Sequence, residues 1–252
     1  GDRTQAAQWA DAFDEYQRLA PARHAVDEAS RAFTDGAWLE ALSLAGTAER
    51  IAKGLGSSEL RSSALRLEAL ARERLGDVGM AEATLHRAAR AAESNDEARA
   101  AAWVSLARVV GVRAGRTADG LLWADYAADL AARFPQRKEL SATLQLVRLR
   151  LAPGPDAAKQ LEALAVQLGP NHPLRPAVHA EEARRGRSFD DAFAVLAQAR
   201  EPVVPALLSV ADALEGLKGR PGEAQRLLEL GVAPYLLNAT VNADASLVRA
   251  FL

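Results

Sequence analysis

The stretch that decides the fold is Gly76-Asp-Val-Gly-Met-Ala81, because the chain writes it repeatedly in altered forms. Gly36-Ala-Trp-Leu-Glu-Ala41 precedes it. Gly115-Arg-Thr-Ala-Asp-Gly120 follows, with glycine in place of the alanine, and Pro153-Gly-Pro-Asp-Ala-Ala158 is a degenerate copy. Gly186-Arg-Ser-Phe-Asp-Asp-Ala192 and Gly219-Arg-Pro-Gly-Glu-Ala224 complete the series. Each copy lies between two stretches whose apolar residues recur at three and four positions, the spacing of a helix face. A period of roughly 33 to 40 residues with two helices per period predicts a helical repeat array.

The motif has a physical reading. Its glycine supplies the left-handed conformation that ends the first helix, and the short turn returns the chain antiparallel. The alanine five residues on lies in the second helix, where a small side chain lets the two helices approach closely. Ala48, Ala88 and Ala127, each a fixed distance after its glycine, repeat that logic. The spacing predicts an opening helix from Thr4 to Leu19, within a leading segment 4–21, and then six helix pairs over 22–231. First helices are expected at Ala22–Asp35, Ser58–Leu75, Asp96–Ala114, Arg137–Leu151, Leu174–Arg185 and Val203–Lys218. Second helices are expected at Ala37–Leu55, Val78–Glu93, Ala118–Arg133, Asp156–Leu168, Phe189–Arg200 and Glu223–Leu230. Residues 232–252 break the pattern and are expected to cap the open end of the array or, alternatively, to dock into a neighbouring chain. No linker divides the chain, so residues 1–252 read as a single array.

Composition agrees with helices and narrows the partners. Hydrophobic residues make up 49 % of the 252, aromatics only 5 %, and β-branched runs are scarce. With 31 basic against 33 acidic residues, no whole-chain positive excess favours a nucleic acid. Cysteine is absent, which excludes disulfides and thiolate metal sites. No apolar run reaches membrane-spanning length, and no charged-then-apolar leader opens the chain. It begins Gly1-Asp2-Arg3 without an initiator methionine. The expectation is a segment of a longer protein with a cytoplasmic location, extracytoplasmic if an anchor precedes it.

Leu67-Glu-Ala-Leu-Ala-Arg-Glu-Arg-Leu-Gly-Asp77 resembles the end of the first helix of a tetratricopeptide repeat. Leu168-Gly-Pro-Asn-His-Pro173 is similar to the inter-repeat loop of the kinesin-light-chain type. The resemblance covers residues 22–231 and implies an all-α, right-handed superhelical solenoid of antiparallel helix pairs. More narrowly, Gly76–Leu85 and Glu97–Ala127, with Trp103 and Trp123, resemble the repeats that follow the catalytic domain in bacterial eukaryotic-like serine/threonine kinases. No kinase motif lies in this chain.

That resemblance also implies a ligand face. In such repeats the first helices line the groove, and positions two and three before the inter-helix glycine point into it. Those positions here hold Arg74, Arg113, Arg150 and Arg184, with Arg66 two turns earlier on its helix. Guanidinium groups at repeat spacing suit carboxylate or phosphate. The competing reading is that arginine in a last helical turn complements the carbonyl end of the helix, at about 0.3–1 kcal/mol. The asparagine clamp of chaperone-tail-binding repeats is missing: its places hold Ser30, Leu70, Val109, Ala180 and Ala213.

Other candidates carry less. His172 and His179 lie across a proline loop, not at the spacing of a helical metal pair, and no cofactor or metal is expected. Glu181-Glu182 and Asp190-Asp191 diverge on a helix and read as solvated surface. Asn238-Ala-Thr240 matches a glycosylation acceptor by three residues only. Trp38, Trp103 and Trp123 read as core. The function expected is a non-enzymatic module that binds a protein or peptide, acidic or extended, as scaffold or signalling partner. The alternatives are a helical-repeat nucleic-acid binder or transcription-regulatory sensor, and an enzyme hidden in the groove.

Overall fold

In the computed structural model, the structure describes residues 2–169 and, beyond them, 172, 174, 175, 177, 178 and 181. All regular structure among the described residues is helical. The elements are α1 Asp2–Thr34, α2 Trp38–Gly54, α3 Ser58–Arg74, α4 Val78–Ala91, α5 Asp96–Arg108, α6 Thr117–Ala131, α7 Lys138–Leu151 and α8 Ala157–Leu168. A five-residue π-turn, Val109–Arg113, continues α5. From α2 onward the helices begin and end within a few residues of their expected bounds. The pairs expected around Gly186 and Gly219, and the cap at 232–252, lie outside the described residues, as does Asn238.

The punctuation acts as its chemistry dictates. Gly36, Gly76 and Gly115 have φ of 79°, 86° and 71°, the left-handed region where only glycine is unstrained. Side chains cap three helix starts: Ser57 accepts from the Leu60 N–H, Asp77 from Met80 and Asn95 from Ala98. Each satisfies a backbone donor that the helix itself leaves unpaired.

One expected boundary is corrected. The opening helix does not stop near Leu19; α1 runs unbroken to Thr34 with Pro21 inside it. Proline removes one backbone hydrogen bond, but the buried stripe Leu19, Ala22, Ala25, Ala29 and Ala32 crosses it without a gap. Arg18 adds a tether, donating to the Leu55 carbonyl at the end of α2.

Among the described residues two compact units emerge, one of residues 2–33 and 37–137, the other of 34–36 and those from Lys138 onward. In the first, the core consists of small clusters, each drawn from three consecutive helices. Ala32 of α1 meets Ala41 of α2 and Ala71 of α3; Ala25, Ala48 and Ala64 form the next layer. Early α2 thus packs on late α1 and late α3, so α2 is antiparallel to both. The same pattern recurs one pair later. Leu65, Ala88 and Ala102 make one layer, and Ala69, Ala81, Leu85, Leu106, Val109 and Val110 the other. Ala41, Ala48, Ala81, Ala88 and Ala127 are fully buried, as close helix approach requires. Direct packing of α3 on α5 brings successive first helices side by side.

In the second unit, α7 and α8 bury Ala142, Leu146, Leu149, Ala157, Leu161, Leu164 and Ala165 together with Val178. The Leu174 N–H donates to the His172 ring Nδ1 at 3.2 Å, which fixes the entry to the helical turn carrying Val178.

Candidate functional site

The expected arginines do not share one environment. Arg74, Arg113 and Arg150 all stand in the last turn of their helical segments, where the carbonyl end favours a cation. Arg66 and Arg74 on α3, and Arg150 on α7, are partly buried and engaged within the protein. Arg113 is exposed, with 39 % of its side-chain surface accessible. Arg184 lies outside the described residues. Because Arg150 belongs to the second unit, Arg66, Arg74 and Arg113 are the members of the line that share one compact unit.

Within that unit the arginines gather around a residue that sequence reading passed over. Glu73, on α3 beside Arg74, is completely buried. Arg108 of α5 grips it with both terminal amino groups, Nη1 donating to Oε1 at 2.7 Å and Nη2 donating to Oε2. Arg113 approaches the same carboxylate, its Nε 3.5 Å from Oε1. A buried carboxylate is tolerated only when paired and hydrogen-bonded, and the two-pronged guanidinium provides both.

Two arginines five residues apart reach one carboxylate because of the π-turn. In an α-helix, positions five apart sit roughly 140° around the axis from one another. The wider turn, whose hydrogen bonds span five residues, returns them to one side. Its closing bond runs from the Ala114 N–H to the Val109 carbonyl at 2.9 Å. Here lies the second difference from expectation: the helix expected over Asp96–Ala114 is α-helical only to Arg108 and widens over Val109–Arg113.

The widened turn also explains why the third motif carries Gly120 where the other copies have alanine. A Cβ on Gly120 would sit 2.5 Å from the Gly111 Cα and 2.9 Å from the Ala107 carbonyl oxygen. Gly111 lies inside the π-turn and is buried. Backbone meets backbone there, and no side chain fits between.

Further ion pairs tie helices together across the turns. Arg61 of α3 holds Glu49 of α2 at 2.8 Å, and Arg137 holds Glu97 at the same distance. Arg133 holds Asp96 at 2.6 Å, while Arg116 binds both Glu82 and Asp119. Hydrogen bonding to Glu82 raises the Arg116 pKa above its ordinary value, with attraction to Glu82 and Asp119 adding to it. Most of these arginines are therefore used inside the fold.

Trp9 is exposed, while the three other tryptophans are packed, in two ways. Trp38 is buried. Trp103 and Trp123 are partly buried against the Leu85–Leu106 cluster, their ring centres 6.3 Å apart. Tyr126 lies 5.6 Å from Trp103 and 5.8 Å from Trp123, and His86 stands edge-on to Trp123. The rings fill the space between one another. Among the described residues, no group of histidines and carboxylates could hold a metal ion, and no helix is long and apolar enough to cross a membrane.

Among the described residues the fold is all-helical, and the first unit carries a cluster of arginines around the buried Glu73. No protein-family model matches the chain, and neither a curated protein nor a solved structure is significantly similar to it.

Proposed function

We propose that this chain is a non-enzymatic interaction module, a solenoid of tetratricopeptide-like pairs that binds an extended, acidic protein segment along its first helices. The observation that carries the reading is the recurrence of one packing layer. Ala25–Ala48–Ala64 and Leu65–Ala88–Ala102 occupy equivalent places one pair apart, as do Ala32–Ala41–Ala71 and the Ala69–Ala81–Leu106 cluster. A chain whose pairs bury apolar surface only against their neighbours leaves an uninterrupted face for recognition. Arg66, Arg74 and Arg113 stand on first helices of the first unit and give that face its charge; Arg150 stands at the equivalent place in the second unit. The role is scaffolding or regulatory, in the manner of the repeats appended to bacterial signalling kinases.

The test is a footprint on the intact chain. Hydrogen exchange with a glutamate-rich peptide bound should slow in α3 and in the α5 segment, including its π-turn. Protection confined to α2, α4 and α6 contradicts the reading. The variant R113E should abolish binding of that peptide while leaving far-ultraviolet circular dichroism unchanged.

A further inference from the structure

Around Glu73 the charges do not balance. Two guanidinium groups face one carboxylate, and Arg108 alone occupies both carboxylate oxygens. Arg113 stands at 3.5 Å through Nε, beyond good hydrogen-bond length, so its N–H donors are not consumed by that contact. Among the described residues, Glu73 is the one acid within ion-pair distance of Arg113. Arg116, also exposed, has two acids at hand and is neutralised. Arg113 is thus the cation of this cluster left under-compensated at the surface.

We infer that Arg113 is an oxyanion receptor: held from behind by buried Glu73 and presented by the π-turn, it takes a carboxylate or phosphate group from an extended partner segment. This rests on the interaction-module reading and adds the chemical group and the residue that meets it. The guanidinium fork matches such groups with two parallel donors. Glu73 attracts the Arg113 side chain from below, which reduces the freedom lost on binding. The Gly111–Gly120 contact keeps the turn in its widened form, because a helix has come to lie directly against it.

The experiment measures fluorescence anisotropy of two labelled peptides on the full chain, one glutamate-rich and one with phosphoserines at the same places. The receptor predicts that R113Q weakens the bound peptide by about tenfold or more, the loss of a charge-assisted two-donor contact. R113K should restore only part of it, since an ammonium lacks the planar fork. R116Q should bind within about twofold of the unaltered chain, because that charge is already matched. Inorganic phosphate competing at millimolar concentration assigns the site to phosphate; competition by acetate instead assigns it to carboxylate, and either supports the receptor. Binding by R113Q equal to the unaltered chain overturns it, even with the first-helix footprint intact. So does failure of both peptides to bind the unaltered chain.

Discussion

Replacing Glu73 by alanine removes a carboxylate that two arginines share and leaves Arg108, whose side chain is 27 % exposed, without its two-pronged partner. Breaking a buried pair from one side costs about 3–5 kcal/mol, and water access at Arg108 puts this case near the lower figure. Urea unfolding followed by circular dichroism should show that loss for Glu73→Ala; a change below about 1 kcal/mol would contradict the assigned role. Two glycines give a contrast of sign. Gly120→Ala drives a methyl into the Gly111 backbone and should destabilise by about 1–3 kcal/mol. Gly46→Ala, inside α2 with nothing within 4 Å, should stabilise by about 0.4–1 kcal/mol. At this scale the sequence carried the glycines and the buried alanines, because their repetition betrays them. It did not disclose Glu73 and Arg108. They stand 35 residues apart, and only their opposite charges at nearly the repeat spacing signal the pairing.

The helices were legible where punctuation and apolar spacing agree. At α3, α4 and α5 a capping side chain, a periodic face and a terminating turn all point to the same bounds, and Asn95→Ala should cost α5 about 1 kcal/mol. Where two signals conflict, local chemistry lost. Pro21 falls between the helices expected at Thr4–Leu19 and Ala22–Asp35, yet the buried apolar stripe crosses it and the helix continues. The π-turn was invisible because Val-Val-Gly-Val-Arg, weak in helix propensity, carries no local mark of a wide turn; the structure adds that Gly120 packs directly against it. At the α1 tether, hydrogen bonds from Arg18 hold the Glu15 carboxyl below its ordinary value. A lowered folded value means the pair's contribution is complete above the ordinary carboxylate range and disappears as pH falls through the lowered one. Amide exchange at the end of α2, corrected for intrinsic rate, should therefore be constant from neutral to mildly acid pH and rise only below. Glu15→Gln should remove that dependence.

For the whole molecule, the proposal that follows from the layers of the first unit is that apolar surface is buried between neighbours in sequence order and not in one shared core. The sequence supported this through its period, since a recurring pair that cannot bury its own face must stack on the next. What it could not give was the ligand face in detail, because that depends on which arginines the fold spends on its own carboxylates. The most direct test is native-state hydrogen exchange of the Leu106→Ala variant, which removes a fully buried side chain at a cost of about 2–5 kcal/mol. Neighbour-only packing predicts that protection falls through α3, α4, α5 and α6 while α7 and α8 keep theirs. An equal loss across α7 and α8 would reveal a single cooperative core and contradict the account.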